Sequence, residues 1–223
     1  KLIKIVDQFN NSYRLTLAFK EQKINYIFDV GANEGQFAKD IRFYGYKNKI
    51  ISFEPLKTEH EKLKLNSQND ENWLVYKRCA VGNKNSKIEI NVSKNSVSSS
   101  ILKMHKEHID VEPDSRPVEI QIINQKKLDD IFEELKDKDK NYFLKIDVQG
   151  YEQQVLEGAE KVISNFKGLL VEVSLADLYK GQKPWNEIIN NIQNLGFKIW
   201  SIDRGFTNKK NGKTLQVDLV FFR

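Results

Sequence analysis

The chain has 223 residues, 39% hydrophobic and 30% charged, which supplies one domain with a sizeable core and leaves too little length for two of ordinary size. Its 36 basic and 31 acidic residues give a net charge of +5 and a pI near 9.0, but lysines alternate with acids, so a solvated surface is expected rather than the basic stripe of a nucleic-acid binder. The single cysteine, Cys79, excludes an intrachain disulfide framework and a cysteine-rich zinc site, and the absence of a membrane-length apolar run or a signal-peptide pattern points to a cytoplasmic protein.

Residues 1–25 carry Leu2, Ile3, Ile5, Val6 and Phe9, then Tyr13, Leu15, Leu17 and Phe19, among polar partners. One or two helices that cap the sheet or the site are expected there. The stretch YIFDVGANEGQ, Tyr26 to Gln36, reads as a buried strand ending at Asp29 and Val30, followed by a tight turn between Gly31 and Gly35 into a helix. Phe37, Ala38, Ile41 and Tyr44 continue at helical spacing, and Gly45 marks the stop. Glycines let the backbone lie close to a ligand, which would meet the free N–H groups at the start of the helix.

Lys49 to Phe53 is a second strand, ending at Glu54 and Pro55. An acid roughly 20 residues beyond a glycine turn, at a strand end, is where open α/β sheets hold a ribose diol. Thr58 and Glu61 predict a capping box for a helix through Leu63 and Leu65, and WLVYKRCAV, Trp73 to Val81, predicts a third strand closed by Gly82. Lys87 to Val92 and Val118 to Ile123 are expected strands of an insertion, with the hydroxyl-rich loop KNSVSSS between them. Ser98, Ser99 and Ser100 belong either to a flexible linker or to a loop that binds a polar substrate or covers a cofactor. His105 and His108 share a short predicted helix, but no accompanying acids complete a metal site, so surface histidines are expected, with proton transfer by His105 as the alternative.

Leu128 to Leu135 predicts a helix, and NYFLKIDV, Asn141 to Val148, the next buried strand, followed by the helix EQQVLEGAEKVI. Lys145 and Asp147 point to the same face of that strand, as a buried salt bridge or as an active-site carboxylate at the strand end. GLLVEV, Gly168 to Val173, repeats the arrangement with Glu172, so two strand-end acids frame one crevice. Pro184 starts a helix from Trp185 to Leu195, and Phe197 to Ile202 with Leu215 to Phe222 predict an antiparallel hairpin. The result is a mostly parallel sheet with one reversed edge strand.

Two cofactor classes use such a layout. A dinucleotide site wants G-x-G-x-x-G, whereas Asn33 stands where the second glycine would be, and Asp29 and Glu34 put negative charge where a pyrophosphate needs none. A sulfonium cofactor with an ammonium group tolerates that charge. The pattern Asp29-x-Gly31-x-x-x-Gly35 resembles the acid-x-G-x-x-x-G signature of class I S-adenosylmethionine-dependent methyltransferases. That resemblance implies adenine beside the end of the third strand, against the backbone at Cys79 and Ala80.

From Ile27 to Arg223 the sequence further resembles the FkbM family of these enzymes, through FDVGANEGQF, SFEP, AVG at Ala80 to Gly82, NSVSSS, LDDI, LKIDVQGYEQQVLEGA, VEVSL with the following LY, and QVDLVFF. The resemblance implies a Rossmann-like α/β fold: a seven-stranded, mostly parallel sheet with an antiparallel C-terminal strand, helices on both faces and a small β insertion at about 87–123. Residues 1–25 would form a helical cap and 26–223 one methyltransferase domain. It also implies S-adenosyl-L-methionine as cofactor and O-methylation of a sugar or secondary-metabolite hydroxyl. Asp29, Gly31, Ala32, Asn33 and Gly35 would hold the methionine end, Glu54 the ribose, and Asp147 and Glu172 would lie near the transferred methyl. Asp147 is the first candidate base, with Glu172 and His105 behind it, and no metal is required. The competing expectations are a nicotinamide-dependent oxidoreductase and a non-catalytic cofactor-binding module.

Overall fold

The computed structural model describes residues 10–223, so the expectation for the apolar positions before Asn10 lies outside the described residues. The first helix, α1, spans Asn11–Glu21 and is capped by the Asn10 side chain, which accepts the Tyr13 N–H. Then follow β1 (Tyr26–Val30), α2 (Gln36–Phe43), β2 (Lys49–Phe53), α3 (Lys57–Ser67), β3 (Trp73–Val75), β4 (Ala80–Gly82), β5 (Ser86–Ser93) and α4 (Lys106–Val111). The chain continues through β6 (Pro117–Lys127), α5 (Leu128–Leu135), β7 (Tyr142–Ile146), α6 (Glu152–Glu157), β8 (Phe166–Ser174), α7 (Trp185–Asn194), β9 (Lys198–Arg204) and β10 (Gln216–Phe222).

Seven strands form one sheet in the order β3-β2-β1-β7-β8-β10-β9. β1 and β7 run parallel at its centre, and all five residues of each are buried, as expected of strands covered on both faces. Side chains alternate between two cores. Ile27, Ile50, Phe143, Leu170 and Val220 pack with Leu15 of α1, Ala38 and Ile41 of α2 and Leu63 of α3. Phe28, Ile51, Leu144, Val171 and Leu219 pack with Ile131 of α5, Val155 of α6 and Ile188 of α7. Helices therefore cover both faces, as the sequence implies.

The pairing register gathers polar side chains on the α1 and α2 face. Asp29 stands opposite Ser52 on one side and Lys145 on the other, and Asp218 opposite Glu172 and Asp203. Because β10 runs antiparallel to its neighbours, Asp218, near its beginning, meets the C-terminal ends of the parallel strands, where ligands of such sheets bind.

Four expectations are corrected. The predicted strand Trp73 to Val81 is broken: β3 joins the large sheet, and β4 joins β6 and β5 in a separate three-stranded sheet. Tyr76 and Cys79 are both buried with exposed Lys77 and Arg78 between them, a spacing of three that a strand's period of two cannot bury. The Thr58 to Glu61 capping box does not form, since Leu56 is the N-cap without a side-chain cap and its N–H donates to Glu54 instead. The helix predicted through Ile163 ends at Glu157, where Gly158 packs so closely that a Cβ there would lie 1.9 Å from the Gly82 carbonyl oxygen. The reversed strand, β10, lies between β8 and β9 rather than at the edge, which β9 occupies.

Candidate active site

The turn after β1 is fixed by its neighbours. Gly31 and Ala32 donate their N–H groups to the Phe53 carbonyl, and Gly31 has φ +78°, with room for a Cβ removed by the Asp147 carbonyl 1.8 Å away. Asn33 takes φ +48°, a left-handed conformation that asparagine tolerates, and its N–H donates to Glu54 Oε2 at 2.8 Å. Its side chain accepts from Glu34 N and Gln36 Nε2 and donates to Ser96 Oγ at 3.1 Å, which fastens the serine loop over the turn.

Above the turn lies a cavity of about 270 Å³. Of the residues singled out from the sequence, Gly31, Ala32, Asn33, Glu54, Cys79, Ala80, Ser99 and Asp147 line it. Glu54 is buried, and each carboxylate oxygen accepts one backbone N–H, from Asn33 and from Leu56, leaving lone pairs for two further donors. Burial pushes its pKa up to about 8. The Cys79 thiol is pushed up to about 11, also by burial, and is neutral wall.

Asp29 and Gly35 stand behind this wall. Asp29 is fully buried, accepts from Ser52 Oγ at 3.0 Å and lies 3.2 Å from the Lys145 ammonium. Gly35 lets the turn meet the Trp73 ring, which a Cβ would approach to 2.5 Å. The serine loop is not a slack linker. Ser99 Oγ accepts from Ser93 N, and buried Ser100 donates to the Gln149 carbonyl at 2.6 Å and accepts from Leu102 N. Ser98 is buried, with its carbonyl accepting from the Tyr179 hydroxyl. Ser96 and Val97 complete the loop's cavity wall.

A second cavity, of about 300 Å³, opens between the sheet and the first two helices. It shares Gln36, Phe37, Lys145 and Asp147 with the first, and adds Glu172. Asp147, just past β7, keeps 32% of its side chain exposed. Its Oδ2 lies 3.4 Å from the Lys145 ammonium, and its Oδ1 accepts from Gln149 Nε2 at 2.9 Å. Both readings of Lys145 and Asp147 thus hold at once: an ion pair, with the acid on a cavity wall. Burial opposes the charge on Lys145, but Asp147 and Asp29 outweigh it and raise its pKa, so the ammonium persists. Burial, then Asp147 and Asp218, hold Glu172 well above the usual carboxylate range.

Gln149 escaped the sequence reading. It has φ +55°, donates to both Asp147 and Glu172, and accepts from the Tyr179 hydroxyl at 2.8 Å. The signal available was its place between a strand-end acid and Gly150. His105 lines neither cavity and donates its N–H to the Leu178 carbonyl. The surface expectation fails for His108, a buried ring packed 5.3 Å from Tyr179 and Phe206, whose pKa burial lowers to about 4. Among the described residues no cluster of His, Cys, Asp and Glu is arranged to hold a metal ion, and no helix is long and apolar enough to cross a membrane.

The strand order, the glycine turn and the acid after the second strand define a class I methyltransferase fold. Solved structures share it: Sp1610 of Streptococcus pneumoniae, a candidate tRNA (m1A22) methyltransferase solved with S-adenosyl-L-methionine, aligns with a TM-score of 0.53 at 12% identity over 96% of this chain and 72% of its own. The methyltransferase domain of bacterial CtHen1-C aligns with a TM-score of 0.51 at 9% identity over 97% and 98%. No protein of curated function matches the sequence. The chain belongs to the FkbM methyltransferase family, whose sequence model, described as the methyltransferase FkbM domain, matches residues 29–199. It is a methyltransferase with S-adenosyl-L-methionine as its cofactor.

Proposed function

We propose that the enzyme methylates a hydroxyl group on a sugar or secondary-metabolite acceptor, with Asp147 as general base. The observation that carries this reading is the position of Asp147, the one carboxylate on the wall common to both cavities among the described residues. The first cavity fits the cofactor by its donor set. Glu54 has acceptor capacity left for a ribose diol, the backbone of Gly31, Ala32 and Asn33 would flank the methionine end, and Cys79, Ala80 and Leu56 offer an apolar seat for adenine. When bound there, S-adenosyl-L-methionine would supply an electrophilic methyl, with S-adenosylhomocysteine as the leaving group.

The chain's own residues supply alignment and a proton acceptor. Well-oriented reactants gain roughly 7 to 11 kcal/mol, and a positioned base adds about 10² to 10⁴ in rate. Asp147 accepts the hydroxyl proton, Gln149 holds one of its oxygens, and Lys145 balances its charge. Asp29 acts through Lys145, which it fixes from beneath the wall. Glu172, raised above the usual carboxylate range by burial and by Asp147, accepts from Gln149 and Gln216 and stands on the wall of the second cavity. The serine loop covers the cofactor, while α1 caps the second cavity through Asn11, Ser12 and Leu15. A screen of glycosides and polyhydroxylated metabolites, read by a mass gain of one methyl and by fragmentation that locates it, tests the proposal. Methyl groups found only on nitrogen, or only on RNA, would remove it.

A further inference from the structure

The second cavity has a chemical character of its own. Phe37 and Trp200 give it aromatic surface, and Asp40, Asp147, Glu172, Asp203 and Asp218 give it carboxylates. Its one lysine among the described residues is already committed, since the Lys145 ammonium lies between Asp29 and Asp147. Arg14, stacked 5.6 Å from the Trp200 ring centre, pairs with Asp203 at 2.8 Å and adds no free positive charge. Glu172 is engaged by two amide donors, Gln149 and Gln216. The Asp218 side chain, by contrast, has no hydrogen-bond or ion-pair partner among the described residues, although burial and nearby Asp147 push its pKa up to about 6.

We infer that this cavity seats the methyl acceptor and selects a polyhydroxylated ring bearing an ammonium group over one bearing a carboxylate or phosphate. The inference rests on the methyl-transfer reading above and adds the acceptor's charge. A ring of hydroxyls matches walls rich in acceptor oxygens, and its apolar edges match Phe37 and Trp200. An ammonium near Asp218 and Glu172 favours the charged form of both acids, which burial and the nearby Asp147 oppose, whereas an anion adds a further like charge in a partly desolvated space. The volume, at the low end of small-ligand pockets, suits one or two rings. Because the two cavities meet at Asp147, a ring seated here presents a hydroxyl to the base.

Three probes of one shape test it: methyl glucoside, methyl glucosaminide and methyl glucuronide, titrated into the enzyme with S-adenosylhomocysteine present. Binding is read from tryptophan fluorescence, with Trp200→Phe as the reference that removes the reporting ring. The glucosaminide should bind at least tenfold more tightly than the glucuronide, Asp218→Asn should shrink that ratio severalfold, and Trp200→Phe should abolish the signal while melting as wild type. Equal or tighter binding of the glucuronide, no binding of any probe, or a signal unchanged in Trp200→Phe overturns the assignment. Methyl transfer to a sugar with a KM unmoved by Asp218→Asn and Trp200→Ala overturns the seat and spares the O-methylation reading. Seated probes that gain no methyl do the reverse.

Discussion

The first cavity draws its walls mainly from short runs of sequence, 30–37, 53–56, 79–81 and 145–149, closed by the serine loop, whereas the second adds to the shared end of β7 separate side chains from five elements. One is shaped by backbone and apolar surface; the other is shaped by charge. A cofactor common to many enzymes can be held by a turn written in consecutive residues, because its recognition depends on glycine conformations and backbone N–H groups. An acceptor is recognised where register and helix packing bring distant side chains together, and those side chains can change without disturbing the turn.

Lys145 joins the two cavities, and removing its partners should separate structure from chemistry. Asp29→Ala deletes a carboxylate that is fully buried against the lysine, and the loss should be about 3 to 5 kcal/mol of stability, read by denaturant unfolding. Asp147→Asn should act differently. Lys145 keeps Asp29 at 3.2 Å and the Gly31 carbonyl at 3.1 Å, so the ammonium is not stranded and the fold should melt close to wild type. The methyl-transfer rate should nevertheless fall by about 10² or more, with affinity for S-adenosylhomocysteine nearly unchanged. Equal melting losses in the two variants would mean that Asp147 is structural.

Most of the first cavity was legible in the sequence, and the reasons are local. Apolar runs marked β1, β2 and β7, and the glycine turn with the acid after β2 marked the ligand edge. The serine cluster was visible, but its anchoring was not, because the Gln149 carbonyl and the Tyr179 hydroxyl lie far along the chain. The second cavity was half legible. A charge inside an apolar strand singled out Lys145 and Asp147, and the same signal stands at Asp218 within QVDLVFF, yet only the reversed direction of β10 brings that acid to the strand ends. Trp200 carries no local mark at all, since nothing near it reveals that edge strand β9 faces α1.

Glu54 sharpens the contrast from the cofactor side. Glu54→Ala should weaken S-adenosylhomocysteine binding by about 1.5 to 3 kcal/mol, roughly ten- to hundredfold, by calorimetry. Sugar-probe binding in the second cavity should move little. Unchanged cofactor affinity in a folded variant would detach Glu54 from the ribose.

A smaller effect is expected where the serine loop grips the junction. Ser100→Ala removes a donor to the Gln149 carbonyl and an acceptor for Leu102 N, at a cost of about 1 to 2 kcal/mol, or roughly 2 to 8 °C in Tm. Gln149 positions Asp147, so turnover should fall severalfold as well. Ser98→Ala provides the comparison, because among the described residues the hydrogen bonds of Ser98 run through its backbone. A Ser100→Ala enzyme with wild-type melting and kinetics would show the loop to be passive.

The smallest effect concerns the charge state of Glu54 in the first cavity. Glu54 has an ordinary pKa of 4.5 when exposed in the unfolded chain and about 8 in the folded protein, because burial penalises its charge. A raised folded value means that the native state binds the proton more tightly, so this contribution to stability is complete below pH 4.5 and is lost as the pH rises through about 8. Glu152, raised to about 7, acts in the same direction over a narrower range. His108 acts oppositely, but only between about 4 and 6.5, and above 6.5 it is neutral in both states. The cofactor-free protein should therefore lose a few degrees of Tm between pH 6.5 and 8.5, and Glu54→Gln should flatten the upper part of that slope. Affinity for S-adenosylhomocysteine should rise over the same interval, because the ribose hydroxyls donate best to the ionised carboxylate. A wild-type slope retained in Glu54→Gln would assign it to another buried acid, and the proton held in the first cavity would no longer belong to Glu54.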